Sequence, residues 1–136
     1  MLSMMQKFRK YVSLYSPPVL WCGLIFYLSS QPYLRVSEGP WDLALRKFGH
    51  ISEYFVLTIL SSKAIGSSIF KLNKKTIISG ALFSFFFAIS DEYHQSFIEG
   101  RCGSPVDVGV DSIGIVLAGM GLWRFNVLPK LKSKEK

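Results

Sequence analysis

The chain has 136 residues, enough for one domain, and 49% of them are hydrophobic while only 18% are charged. This composition excludes a disordered chain. The 16 Lys and Arg residues against nine Asp and Glu residues give a net charge of +7, which in a soluble protein indicates nucleic acid binding. Here long apolar runs give the basic residues a different role, at the ends of membrane spans. We therefore expect a membrane protein that does not bind nucleic acid.

Four helical spans are predicted in chain order. The first, residues 11–34, contains no charged residue and is long enough to cross about 30 Å of hydrocarbon. Pro32 is expected to end it, and because no signal-peptide cleavage site follows, the segment should remain in the mature protein. Charged residues interrupt the three later spans, which are predicted at about residues 48–70, 76–97 and 104–125. Trp41 and Asp42 are expected to open a short interfacial segment before the second span.

The distribution of basic residues supports four spans over a soluble bundle. With a cytoplasmic N-terminus, the inner segments hold 11 Lys and Arg residues and the outer segments hold four. The expected fold is therefore an all-α polytopic membrane helix bundle with about four transmembrane helices and both termini in the cytoplasm. Residues 1–10 form a basic N-terminus, 11–126 the transmembrane domain and 127–136 a basic cytoplasmic tail.

Ionisable and polar side chains lie inside these spans, where each ionisable one costs about 2.5 to 3.5 kcal/mol on insertion scales. They fall where the second span begins, where the third ends and where the fourth begins, so the alternating direction of the helices brings them to the outer membrane face. We predict one polar pocket there, formed by His50, Glu53, Asp91, Glu92, His94, Gln95, Asp107 and Asp111, with Arg101 in the adjoining loop.

Small residues are expected to let the polar faces pack inward. On the third helix these are Gly80 and Ser84, and on the fourth Gly114, Ala118 and Gly121. The carboxylates so gathered require protons or a metal ion to balance their charge. The candidate metal ligands are His50, Asp91, His94 and Asp111, although no HExxH or comparable spacing is present.

Individual roles remain open between structural and functional interpretations. His50 and Glu53 form either an intrahelical pair or part of the pocket. Asp107 either stabilises the helix N-terminus that Ser104 and Pro105 predict, or joins the site. Glu92 is expected to point about 100° away from Asp91, toward water or Arg101. Arg101 either clamps a carboxylate or contacts an anion such as a lipid phosphate.

Three ordered motifs give the chain a family resemblance. Residues 91–104, DEYHQSFIEGRCGS, with Asp107, Asp111 and Gly114, resemble the DExxQ…GR…D…(N/D)…G signature of the VanZ-like membrane proteins. Residues 47–54, KFGHISEY, are similar to that family's KxxHxxEY segment, and residues 29–32 to its SSQP. Glu99 departs from the family's usual proline and Cys102 from its usual serine.

The resemblance implies a multi-pass protein of the bacterial cytoplasmic membrane that acts in the cell envelope and contributes to resistance to the glycopeptide teicoplanin. The first hypothesis is a protein that binds or alters a surface lipid or lipid-linked wall precursor, or meets the glycopeptide itself. The second is an intramembrane hydrolase or transferase with Asp91 or Asp111 as base, His94 or His50 as acid, and a divalent metal as an optional cofactor. A homo-oligomer stays open, and a transporter would require one.

Overall fold

The computed structural model describes residues 4–33, 39, 41–68, 70 and 72–127, and this part of the chain contains four α-helices and no strand. Helix α2 packs against both α3 and α4, which also pack against each other, while α1 packs mainly against α2 and touches α3. The predicted all-α helix bundle is confirmed. The helices are α1 (Met4–Ser29), α2 (Trp41–Gly66), α3 (Lys74–Gln95) and α4 (Pro105–Asn126).

Helix α1 differs from its predicted span at both ends. It begins at Met4, well before residue 11, and it ends at Ser29 rather than continuing to residue 34, which lies outside the described residues. The end follows from Pro32, because the residue before a proline is pushed out of the helical region. Side chains then satisfy the last carbonyl groups: Ser30 Oγ donates to the Phe26 carbonyl at 2.7 Å and Gln31 Nε2 to the Tyr27 carbonyl at 3.0 Å.

Capping residues mark where α3 and α4 begin. Helix α2 starts at Trp41, so the expected interfacial segment is part of one continuous helix. Asn73 caps α3 through a reciprocal capping box with Thr76, which places the start of α3 at Lys74. The start predicted for α4 is confirmed, since the Ser104 hydroxyl accepts from the Val106 N–H at 3.1 Å and Pro105 follows at the first helical position.

Two glycines allow α2 to approach its neighbours closely. A methyl group added at Gly80 would overlap the backbone of Ser62, and one added at Gly114 would overlap the carbonyl oxygen of Ile51. Of the small residues predicted to face inward, Gly80 and Gly114 therefore make close helix contacts. Gly121 was also predicted to face inward, and this prediction is wrong. The residue is exposed, and a methyl group added there would meet nothing within 4 Å. Leu122, the next residue, faces the interior instead.

The bundle is apolar on the outside and partly polar within. Large apolar side chains such as Leu20, Phe86 and Met120 are 72%, 65% and 64% exposed. A water-soluble fold would bury such groups and would rarely expose so continuous an apolar surface. Yet the described residues bury as many polar side chains as apolar ones, and the polar set is Ser29, Thr58, Ser61, Ser62, Ser84, Asp91, Glu92, Gln95, Asp111 and Asn126.

Two of the described helices, α1 and α4, are long and apolar enough to cross a membrane by length and composition. Helices α2 and α3 carry the ionisable groups that interrupt their apolar stretches. Some of the basic residues behind the predicted orientation lie outside the described residues, namely Arg35, Lys71 and the lysines of the tail from residue 130 onward.

Candidate functional site

Polar side chains from all four helices meet at one end of the bundle, where α1 and α3 end and α2 and α4 begin. Between α2 and α4, His50 Nδ1 lies 2.9 Å from Asp111 Oδ1. Between α1 and α3, Ser29 Oγ donates to Asp91 Oδ2 at 2.9 Å. These long-range contacts hold the helix ends together, and they divide the polar residues into two groups.

The first group consists of His50, Glu92 and Asp111 and is called the three-residue cluster. Potential ligand atoms of the three side chains lie within 4.8 Å of one another. Asp111 is 0% exposed and Glu92 is 4% exposed, although both are carboxylates. Such buried carboxylates are rare in proteins unless paired or bound to a cation.

Glu92 differs from the expectation that it points toward water or Arg101. Its Oε2 accepts the Ser104 backbone N–H at 2.9 Å, which ties the end of α3 to the start of α4. Gly103 makes this contact possible, because a methyl group there would overlap the Glu92 carbonyl oxygen. The carboxylate is consequently turned inward, beside His50 and Asp111.

The second group is a hydrogen-bonded network around Asp91. Asp91 Oδ2 accepts from Ser29 Oγ and from Gln95 Nε2, each at 2.9 Å. Gln95 Nε2 also lies 3.2 Å from Ser29 Oγ. On its other side the Gln95 amide oxygen accepts from Arg101 Nε at 3.2 Å and Nη2 at 3.0 Å. The network links α1, α3 and the loop that follows α3.

Arg101 lies at the edge of a polar cavity of about 280 Å³. Its guanidinium contacts the Gln95 amide and, at 3.5 Å, the Leu28 carbonyl, but it makes no ion pair with any carboxylate of the described residues. The carboxylate clamp considered from the sequence is therefore not what the structure shows. The cavity is lined by Leu43, Arg46, Lys47, His50, Gln95, Gly100, Arg101, Cys102 and Asp107.

The two other cations of the cavity already have acidic partners. Lys47 Nζ donates to Asp107 Oδ1 at 2.6 Å, which joins α2 to the first turn of α4. Arg46 Nε lies 2.9 Å from Asp42 Oδ2 one helical turn earlier. Asp107 thus has a partner beyond its own helix N-terminus, while Arg101 forms no ion pair with a described carboxylate.

His94 and Glu53 were predicted as site residues, but they lie apart from each other. The His94 ring stacks on Phe26 with ring centroids 4.4 Å apart, and His94 Nε2 lies 3.0 Å from Ser30 Oγ. His94 therefore faces α1, not the three-residue cluster. Glu53 is partly buried, and its backbone carbonyl accepts the Trp21 indole N–H at 2.9 Å. Its carboxylate is close enough to interact electrostatically with His50, Asp91, Asp111 and Arg101.

Four residues that the structure places at this site were not predicted from the sequence as site residues. Ser29 and Ser30 bond Asp91 and His94, and Arg46 and Lys47 line the cavity. The sequence carried a signal for the two serines, because two adjacent hydroxyl groups at the end of an apolar helix can form hydrogen bonds with polar side chains of a neighbouring helix. For Lys47 the signal was an acidic residue, Asp107, at the start of a helix that was expected to lie beside the helix of Lys47.

The apolar surface, the two membrane-length helices and the polar site within the bundle define a helical membrane protein. A family model for VanZ/LLP1 matches residues 15–127, which is most of the chain, and the chain belongs to that family. This membership confirms the resemblance seen in the three motifs. No curated protein and no solved structure shows a significant match to the chain.

Proposed function

We propose that this chain is a multi-pass protein of the bacterial cytoplasmic membrane whose polar cavity binds the phosphate-bearing head group of a surface lipid or lipid-linked wall precursor. In this proposal all four helices span the membrane and the cavity opens at the outer face. By occupying or altering such lipids the protein contributes to teicoplanin resistance, the property after which the family is known.

The position and the hydrogen bonds of Arg101 are the observation that most directly supports this proposal. Its guanidinium is held in place by two hydrogen bonds to Gln95, so little side-chain freedom is lost when it binds a ligand. It forms no ion pair with a described carboxylate, although Glu53 is close enough to interact with it electrostatically, and it lines a cavity that also receives Arg46 and Lys47. A fixed guanidinium with free donors suits the oxygens of a phosphate.

The surroundings of the cavity favour an amphiphilic ligand over a free anion. A separate groove of about 410 Å³ lies where α3 ends and α4 begins, and its lining includes Ile89, Tyr93 and Val108 together with the polar residues Glu92, Ser96 and Ser104. A polar cavity of about 280 Å³ is the right size for a head group rather than a whole ligand, since ligand pockets usually start near 300 Å³. A lipid tail would follow the apolar groove or the apolar exterior.

Binding of farnesyl pyrophosphate to the purified protein in detergent micelles tests this proposal. Arg101→Gln should weaken binding by about tenfold to 100-fold, because a charge-assisted hydrogen bond contributes about 1.5 to 3 kcal/mol. Farnesol should bind both forms equally, since it has no phosphate. Inorganic pyrophosphate, measured in parallel, separates recognition of the phosphates alone from recognition of the whole amphiphile.

Arg124→Gln is the matched control, because it removes the same charge from the opposite end of α4. It should bind farnesyl pyrophosphate as the wild type does. Equal loss of affinity in Arg101→Gln and Arg124→Gln would show only a general effect of positive charge and would contradict a site at Arg101.

An intramembrane hydrolase or transferase is the second candidate, favoured by the position of the His50 and Asp111 pair. His50 lines the polar cavity and its Nδ1 lies 2.9 Å from the buried Asp111 carboxylate, an arrangement suited to moving a proton. In that case Asp111 and His50 would serve the chemistry, because Asp91 is engaged by Ser29 and Gln95. Release of inorganic phosphate from the bound farnesyl pyrophosphate would favour the enzyme, and recovery of intact ligand would favour the binding protein.

A further inference from the structure

The three-residue cluster presents a mixed set of ligand atoms from three different helices. It offers an imidazole nitrogen of His50 from α2, a carboxylate of Glu92 from α3 and a carboxylate of Asp111 from α4, all within 4.8 Å of one another. A simple cluster of acids on one helix would be solvated and would repel itself. Here three helices bring one nitrogen and two oxygen donors to one point inside the bundle.

Two buried carboxylate oxygens of this cluster remain unsatisfied. Asp111 Oδ2 and Glu92 Oε1 are inaccessible to solvent, and neither has a hydrogen-bond partner among the described residues. Their second oxygens are already used, Asp111 Oδ1 by His50 and Glu92 Oε2 by the Ser104 N–H. An unsatisfied buried carboxylate oxygen costs several kcal/mol relative to water, so a stable fold requires something to bind it.

The charges of the three-residue cluster also favour a bound cation. Glu92 and Asp111 carry two negative charges when ionised, and the nearest fixed cation of the loop, Arg101, bonds Gln95 in the other group. Lys47 is taken by Asp107. Within the cluster only His50 can offset a carboxylate charge, and only when it is protonated, so a metal ion there would neutralise the remaining negative charge.

We propose that His50, Glu92 and Asp111 bind one divalent transition metal ion of the Zn²⁺ or Mn²⁺ type. This site goes beyond the proposed lipid binding, which requires only Arg101 and the cavity. The His50 nitrogen favours a transition metal over Mg²⁺ or Ca²⁺, which take oxygen ligands. The three ligands include no cysteine, so the site differs from the cysteine-rich zinc sites that serve only a structural role.

The geometry is compatible with coordination. Ligands about 2.1 Å from one ion are separated from each other by about 3 to 3.4 Å. His50 Nδ1 and Asp111 Oδ1 share a proton at 2.9 Å, close to that range, so an ion would displace this proton from between them. Glu92 has to approach by a small side-chain movement. Three protein ligands leave a coordination position for water or for a phosphate oxygen, and His50 places the ion beside the polar cavity.

Metal analysis of the purified protein tests this site. After removal of metal with EDTA and dialysis against Zn²⁺ or Mn²⁺, the wild type should retain about one ion per chain and gain thermal stability, while Mg²⁺ should have little effect. His50→Ala and Asp111→Asn should each lower metal retention by about tenfold or more, because the first removes a ligand and the second replaces a charged carboxylate with a weaker, neutral amide oxygen. Size-exclusion profiles and helical circular dichroism establish that the variants are folded.

Two substitutions serve as matched controls. Asp107→Asn removes the same charge one turn earlier on α4, and His94→Ala removes the other histidine, which faces Phe26 and Ser30. Both should retain the metal. A wild type that binds no ion, or controls that lose it as fully as His50→Ala does, would overturn the proposal and favour shared protons at the cluster. Because no lipid is present, this outcome is separate from that of the farnesyl pyrophosphate experiment.

Discussion

Replacement of Gly114 by alanine is expected to lower the free energy of unfolding by about 1 to 3 kcal/mol, although alanine is the better helix former. The added methyl group would overlap the Ile51 carbonyl oxygen and crowd the Phe55 backbone nitrogen on α2. Because both obstacles are main chain, neither can be relieved by a side-chain rotation. Helices α2 and α4 must separate, and with them His50 and Asp111.

Gly119→Ala is the control for this prediction, since it lies on the same helix and its added methyl group would meet nothing within 4 Å. It should be neutral or stabilise by up to about 1 kcal/mol through helix propensity. The measurement is loss of monodisperse protein with temperature in detergent. Equal melting of the two variants would contradict the close contact of α2 with α4.

Asp91→Ala should destabilise the protein by about 2 kcal/mol or more. The substitution removes the acceptor of two buried hydrogen bonds, from Ser29 Oγ and Gln95 Nε2, and leaves both donors inside the bundle. The Gln95 amide also positions Arg101, so the guanidinium loses its support. We therefore expect weaker farnesyl pyrophosphate binding together with the loss of stability.

Asp91→Asn separates the hydrogen bonds from the charge. Asparagine keeps an oxygen that accepts from Ser29 and Gln95, so its stability should lie much nearer to that of the wild type. Thermal unfolding of the three proteins under identical detergent conditions provides the comparison. If Asp91→Asn is destabilised as much as Asp91→Ala, the negative charge and not the hydrogen-bonded network would be the stabilising feature.

The sequence was sufficient to predict the helical architecture and the end of the bundle at which the polar residues meet. Apolar runs locate the helices, and Ser104, Pro105 and Asp107 carry the signals that begin α4. Helix boundaries were less predictable, because α1 and α2 extend beyond their charge-free stretches through residues such as Lys7 and Asp42. Charges near the end of a helix interrupt the hydropathy pattern without ending the helix.

The division of the polar residues into two groups could not be read from the sequence. Asp91 and Glu92 are adjacent, yet Asp91 bonds Ser29 on α1 while Glu92 turns toward His50 and Asp111. Spacing along one helix shows which residues share a face, but not which neighbour that face meets. The rotation of α3 is set by packing, including the contact of Gly80 with Ser62, and by the Ser104 N–H that holds Glu92.

Teicoplanin susceptibility of a sensitive Gram-positive host tests the central claim most directly. The host expresses the wild type, Arg101→Gln or Arg124→Gln at equal membrane levels. The wild type and Arg124→Gln should raise the inhibitory concentration, whereas Arg101→Gln should leave it near that of the empty host because the head group is no longer held. Resistance that survives Arg101→Gln, or none with the wild type, would contradict a function of the polar cavity in the cell envelope.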